Sequence, residues 1–219
     1  MSKVTLVGIT KPCIPGLTSA EDLVAYAARV SNPANQLNSE TAPKLLKYLV
    51  KNQHWSPLEM VHIVMEIETT RDIARQILRH RSFSFQEFSQ RYAVASDLGF
   101  VTREARLQDT KNRQNSIEVE DAELANEWER IQNQVLGIVK YSYDWALKNG
   151  VAKEQARAVL PEGMTKSRMY MSGSLRSWLH YCLLRTENGT QKEHREIANS
   201  ALQIITENFP SISEIVNGQ

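Results

Sequence analysis

Val61-His-Ile-Val-Met-Glu-Ile-Glu-Thr-Thr-Arg-Asp-Ile-Ala-Arg-Gln-Ile-Leu78 changes its hydrophobic period half-way along. Val61, Ile63, Met65 and Ile67 alternate with His62, Glu66 and Glu68, the period of a strand with one wet face. Thr69 or Thr70 is then placed to cap a helix, in which Ile73, Ala74, Ile77 and Leu78 recur at helical spacing. A half-buried strand feeding directly into a helix points to a sheet packed on helices.

The flanks agree. Residues 3–9 set Val4 and Leu6 against Thr5 and Val7, a strand closed by turn chemistry from Pro12 to Gly16. Thr18-Ser-Ala-Glu21 predicts a capping box, followed by Leu23, Ala27 and Val30 on one helical face. A second helix is expected from near Pro43, with Leu45, Leu46, Leu49 and Val50 facing inward. Residues 98–118 show no periodicity but hold Arg103, Arg106, Lys111 and Arg113, so they read as a binding loop or lid, or as a disordered surface excursion.

One long helix is expected from Asp121 to Asn149, ended by Gly150. Its Leu124, Trp128, Ile131, Val135, Ile138 and Trp145 form a 4-3-4 seam suited to packing within the monomer or between subunits. A shorter helix over 152–160 is stopped by Pro161. Met169 and Met171 alternate with Arg168 and Tyr170 as another strand. Ser174 caps a helix whose apolar face is Leu175, Trp178, Leu179, Cys182 and Leu183, broken at Asn188-Gly189. Thr190-Gln-Lys-Glu193 predicts a second capping box, opening a helix to Phe209. The expectation is a single α+β domain over 1–219, helix-rich, with a small and mostly antiparallel sheet.

Composition narrows the function. Lys and Arg number 26 against 25 Asp and Glu, a balance unlike the basic excess of proteins that wrap duplex nucleic acid. Cys13 and Cys182 are far apart and belong to no metal or redox spacing, so neither a metal nor a cysteine nucleophile is expected. The apolar run Val4–Ile9 is too short for a signal segment, and no stretch is long enough to span a bilayer, leaving the cytoplasm as the expected compartment.

No Walker loop, Gly-x-Gly-x-x-Gly or His-Glu-x-x-His is present, so a phosphate site must be built from side chains. The segment 70–92 supplies them. Arg71, Arg75 and Arg79 are spaced to stack on one helical face, about 6 Å apart from turn to turn. Every cation from 71 to 91 is arginine, apart from His80, which suits bidentate recognition of phosphate or of a carbonyl-rich ring. Phe83, Phe85, Phe88 and Tyr92 add aromatic surface, and Ser82, Ser84, Gln86, Glu87 and Ser89 add polar groups. The same mixture fits single-stranded RNA, and the phenylalanines can equally be core. Arg157, Arg176 and Arg185 are further cations, and His54 precedes the 61–67 strand.

Arg79-His80-Arg81, then seven residues, then Ser89-Gln90-Arg91, resembles the signature of the flavin-dependent thymidylate synthases. Ala27-Ala-Arg-Val-Ser31, His54 to Glu59, Ala74-Arg-Gln76, Glu87, Arg157-Ala-Val-Leu-Pro161 and Leu184-Arg185 are similar to family landmarks, in order along nearly the whole chain. The resemblance implies reductive methylation of dUMP to dTMP, with 5,10-methylenetetrahydrofolate as carbon donor and NADPH reducing a bound FAD. It implies a homotetramer with shared active sites, acting on a small nucleotide and binding neither a nucleic acid polymer nor a membrane.

By position it assigns FAD to Ser56, Arg79, His80, Arg81, Glu87, Ser174, Leu175, Arg176 and His180. It assigns dUMP to Gln76, Arg79, Glu87, Phe88, Ser89, Gln90, Arg91 and Arg157. Arg185 becomes the catalytic residue facing the pyrimidine, and His54 lies at the flavin and folate entrance. Ser174 and His180 stand where many members carry asparagine, and Asn188-Gly189 where others place a histidine. The rival expectations are a related flavin enzyme transferring a methyl or hydroxymethyl group to another pyrimidine nucleotide, and a non-enzymatic RNA-binding module.

Overall fold

The computed structural model describes residues 2–216; Met1 and residues 217–219 of the expected 1–219 domain lie outside the described residues. The chain runs β1 (Lys3–Ile9), α1 (Ala20–Ala28), α2 (Ala42–Lys51), β2 (His62–Thr70), α3 (Arg71–Ile77) and β3 (Ser84–Glu87). It continues through β4 (Arg106–Gln108), β5 (Ser116–Glu118), α4 (Ala122–Lys148), α5 (Lys153–Ala156), β6 (Lys166–Ser174), α6 (Leu175–Arg185), α7 (Lys192–Asn208) and α8 (Pro210–Val216). This is the expected α+β architecture.

The main sheet has the order β1-β2-β6-β3, with every neighbouring pair antiparallel. Alternation decides its faces. Met65 lies opposite Met171 and Ile67 opposite Met169, and all four are buried in one core with Val24, Leu46, Trp178 and Ile197 of the helices and with Phe209 between α7 and α8. The other face keeps charged residues, including an Arg168 Nη2–Glu68 Oε1 pair at 3.0 Å. Trp178 also ties helix to sheet, donating its indole N–H to the Ile63 carbonyl at 3.1 Å.

Several local expectations are corrected. The first capping box is Ser19 with Asp22, one residue later than Thr18 with Glu21: Asp22 N–H donates to Ser19 Oγ at 3.1 Å, and Ser19 N–H to Asp22 Oδ2 at 2.9 Å. The shift puts Val24 and Ala25 inward and leaves Val30 beyond the helix, 70% exposed. The second box does not form, because Glu193 is drawn into ion pairs with Arg103 and Arg106. Thr70 is the N-cap of α3, yet its hydroxyl bonds the Asp72 carboxylate rather than a backbone N–H. Leu78 falls outside α3 and is partly exposed.

The 98–118 segment is neither structureless nor a free cationic loop. β4 and β5 pair as a hairpin, and Arg103 is spent on Asp72, Gly163 and Glu193. Gln132 of α4 grips the Arg103 backbone from both sides, accepting its N–H at 2.7 Å and donating to its carbonyl at 2.8 Å. α4 begins at the Asp121 cap and ends before Gly150, whose φ of +78° closes the turn as expected. α4 buries Gln132, Leu136, Val139 and Tyr143, while the apolar seam lies on another face, between 41% and 68% exposed.

Candidate functional site

α3 ends at Ile77, so Arg71, Arg75 and Arg79 do not make one arginine stripe. Arg71 pairs with Glu87 at 3.3 Å and Arg75 with Glu162. Arg79 and Arg81 lie in the turn beyond the helix, both exposed and without an acidic partner among the described residues. The chain then dives: Phe83 packs edge-on against Trp178, centroids 4.9 Å apart, and Phe85 joins the same core. A Cβ on Gly173 would come within 2.5 Å of the Phe83 ring, so this close approach requires glycine. Two of the four aromatics proposed as surface are therefore core. Tyr92, 84% exposed, is the freely accessible one of the four.

β3 carries the motif onward as an edge strand paired with β6, and its four residues separate two groups of side chains by roughly 10 Å. At its start, Arg185 at the end of α6 donates Nε–H to His80 Nε2 at 3.0 Å. Burial, then the charges of Arg185, His180 and Arg79, lower the His80 pKa to about 4, so the ring is neutral and accepts. Its edge packs on the buried Tyr181, centroids 4.9 Å apart. No other polar partner of the Arg185 guanidinium exists among the described residues. Gln76 lies nearby in the fold, donating Nε2–H to Gln191 Oε1 at 2.8 Å.

At the far end of β3, Glu87 accepts from Ser167 Oγ at 2.7 Å and from Arg71. Phe88 N–H donates to the Arg168 carbonyl at 2.8 Å. Ser89 turns the chain, its carbonyl accepting from Tyr92 and Ala93 N–H. Gln90 is 4% exposed, and its Nε2 is buried with no partner among the described residues. Arg91 and Arg157 converge on Glu154: Arg91 Nε lies 3.5 Å from Glu154 Oε2, and Arg157 Nε–H donates to the Glu154 carbonyl at 3.2 Å.

A third group gathers at the start of α6. Ser174 caps this helix by accepting Ser177 N–H at 3.2 Å, and its hydroxyl donates to Glu59. Arg176 Nη1 lies 3.6 Å from the other oxygen of Glu59. Leu175 is buried with its N–H donated to the Val61 carbonyl, so its side chain serves the core. Ser56 opens the short 3-10 turn that carries Glu59 and is exposed, as is His180 on the outer face of α6. His54 is set by Gln53, whose φ of +57° closes α2 in a left-handed turn that returns His54 N–H to the Leu49 carbonyl at 2.8 Å.

Residues 15–211 match the family described as thymidylate synthase complementing protein. A probable flavin-dependent thymidylate synthase of Paramecium bursaria Chlorella virus 1 is 47% identical over 212 residues, covering 97% of each chain. The flavin-dependent thymidylate synthase of Synechocystis sp. is 48% identical, covering 96% of this chain and 97% of its own. The chain belongs to the flavin-dependent thymidylate synthase family. The fold is also similar to that of the UMP/dUMP methylase PolB from Streptomyces cacaoi bound with 5-Br UMP, with a TM-score of 0.81 at 23% identity, covering 100% of this chain and 94% of that one.

As a member of the flavin-dependent thymidylate synthase family, the chain holds its signature in two clusters, Arg79-His80-Arg81 with Arg185 and Ser89-Gln90-Arg91 with Arg157. Sequence reasoning assigned no role to Glu154, which meets Arg91, to Tyr181, which packs on His80, or to Gln191 and His194, which both meet Gln76. Glu59 stood inside a quoted landmark, but its link to Ser174 and Arg176 spans more than a hundred residues and leaves no local pattern. Cavities of ≈ 360 Å³ and ≈ 620 Å³ lie elsewhere, around Arg103 and beneath the β4–β5 hairpin. The signature arginines face open surface in the single chain.

Proposed function

We propose that this chain catalyses the reductive methylation of dUMP to dTMP, with 5,10-methylenetetrahydrofolate as carbon donor and NADPH as reductant of bound FAD. The observation that carries the reading is Arg185, a permanent cation held by a neutral His80 inside the family signature and left without a carboxylate among the described residues. Such a cation favours the ionised, enolate-like pyrimidine and so activates C5 toward the incoming carbon. Arg91 and Arg157, with Ser89 and the Gln90 Nε2 that has no partner among the described residues, form the group that takes the nucleotide phosphate. Gln76, Glu87 and Phe88 border the rest of the nucleotide. Thymidylate synthase is the named activity of both close relatives, which supports dUMP as substrate.

The donor set fits FAD. Arg79 and Arg81 are exposed guanidiniums lacking acidic partners among the described residues, suited to a diphosphate, and His54, Ser56, Arg176 and His180 add exposed or half-exposed polar groups. When bound, the flavin supplies the hydride chemistry that no protein side chain can. No helix among the described residues is long and apolar enough to cross a membrane. The cytoplasm is the compartment this reading implies. The purified protein is expected to be yellow, with a flavin absorption spectrum, and to form dTMP from dUMP when given the folate and NADPH. A colourless protein that cannot be loaded with FAD rules the reading out. Preferential methylation or hydroxymethylation of a different pyrimidine nucleotide moves it to the related enzyme.

Shared active sites in a homotetramer belong to the same proposal. The seam Leu124, Trp128, Ile131, Val135, Ile138 and Trp145 is an apolar face left between 41% and 68% exposed in the single chain, and a symmetric partner helix would bury it. Light scattering is expected to give an oligomer, and Ile131→Glu with Ile138→Glu is expected to shift it to smaller species with loss of turnover. An active monomer at assay concentration removes the shared-site model.

A further inference from the structure

Behind Arg185 and His80 runs a row of polar side chains to which the family reading gives no role beyond Gln76. Tyr181 Oη lies 3.1 Å from His194 Nε2, and His194 Nδ1 lies 3.3 Å from Gln76 Oε1. Gln76 Nε2 lies 2.8 Å from Gln191 Oε1, and Gln191 Nε2 lies 2.9 Å from Glu193 Oε2. Tyr181 and His194 are fully buried. The far end is closed by Arg103 Nη1, 3.0 Å from Glu193 Oε1, and by Arg106 on the same oxygen.

An imidazole with two tautomers and two reversible amides could run such a row in either direction. The carboxylate removes the choice. Burial by itself would raise the Glu193 pKa, but the Arg106 hydrogen bond, a backbone N–H, the Arg103 charge and Gln191 outweigh it and bring it to about 2. Ionised, Glu193 only accepts, so Gln191 must turn its N–H toward Glu193 and its Oε1 toward Gln76. Gln76 must then donate to Gln191 and turn Oε1 to His194. His194 is left as the Nδ1–H tautomer, with Nε2 accepting from the Tyr181 hydroxyl. Burial, then the charges of Arg185 and His80, lower the His194 pKa to about 4 and keep the ring neutral. Reversal would set two acceptor oxygens of Gln191 and Glu193 face to face and forfeit a charge-assisted bond.

We infer that Glu193 is a positioning residue: through Gln191 it sets the direction of this row, and so fixes which atoms Gln76 presents to the bound nucleotide. The inference rests on the proposed placement of Gln76 against dUMP. An amide free to flip offers the ligand a mixture of donor and acceptor, whereas a locked amide offers one pattern and loses no orientational freedom on binding. Arg103 and Arg106 both hold this carboxylate, so the loss of one of them leaves it in place.

Histidine-selective ¹⁵N spectra of the FAD-loaded protein, assigned with His194→Gln, are expected to show His194 as the neutral Nδ1–H tautomer. Glu193→Gln removes the acceptor-only end, so the Nε2–H tautomer is expected to become populated and dUMP affinity, by calorimetry, to fall about three- to tenfold. Moving the carboxylate one link inward, in the double variant Gln191→Glu/Glu193→Gln, again faces Gln76 with an acceptor and is expected to restore both readouts. Arg106→Gln loosens the same ion pair but keeps the carboxylate, and is expected to change neither. An unchanged His194 tautomer in Glu193→Gln overturns the inference, as does a double variant that does not recover, or an Arg106→Gln variant that loses dUMP as Glu193→Gln does. If the tautomer responds but Gln76→Ala binds dUMP as tightly as the unmodified chain, the placement of Gln76 was wrong and the inference falls with it.

Discussion

Arg185→Ala is expected to lower turnover about a hundredfold at saturating dUMP, roughly 3 kcal/mol, with the flavin still bound. Arg185 ends α6, where a cation also complements the helix dipole, so a purely structural role would show as lost stability rather than lost rate. Its single polar contact among the described residues is a neutral imidazole, which orients the guanidinium without neutralising it. The charge therefore remains available for negative charge that develops during the reaction, and an interaction made mainly in the transition state lowers kcat more than it raises KM. Arg185→Lys keeps the charge but loses the planar fork, so it should recover only part of the rate. The cysteines make the matching control. Cys13 is exposed and Cys182 fully buried, with a thiol whose pKa burial drives far above its usual range. Cys13→Ser with Cys182→Ser should keep turnover, apart from stability lost by placing a hydroxyl in the core. Normal steady-state rates for Arg185→Ala, with flavin content checked, would mean that another group activates the pyrimidine.

The parts of the fold that were legible are those in which one residue period covers a whole element. β2 and β6 announced themselves through Ile63, Met65 and Ile67 and through Met169 and Met171, because each is buried on one face only. α4 was bounded by Asp121 and Gly150, whose capping chemistry is local. β3 was missed, being four residues at a sheet edge, and so were β4 and β5, three residues each. Such strands are stabilised by partners distant in sequence. The hairpin rests on Arg106 meeting Glu193, and that same contact cancelled a capping box that the local pattern favoured. The site shows the same division. The signature residues could be recognised by spacing, but Glu154 beneath Arg91 and the row ending in Glu193 arise only once β3, α5 and α7 are brought together.

Lowering the pH from about 6.5 to 4 is expected to destabilise the folded chain by a few kcal/mol through two of its histidines. His194 and His80 both have folded pKa values near 4, depressed first by burial and then by charge: Arg185 and His80 act on His194, while Arg185, His180 and Arg79 act on His80. A depressed histidine binds its proton in the unfolded chain first. Its contribution is thus complete above 6.5 and is lost as the pH falls toward 4. For the fully buried His194 a fall from 6.5 to about 4 corresponds to on the order of 3 kcal/mol. The half-exposed His80 contributes less, because solvent screens it. Glu193 acts in a lower window, since its folded value near 2 means its contribution is lost only as the pH falls from 4.5 toward 2. Urea unfolding at fixed protein concentration, at pH 7, 5.5 and 4, should therefore show midpoints falling with pH while the slope holds. His194→Gln supplies an amide that never charges in this range, so it should flatten the profile between 6.5 and 4 even if it costs stability at pH 7. A profile as steep as that of the unmodified chain would show that His194 is already charged in the fold, and the neutral tautomer assigned to it would be wrong.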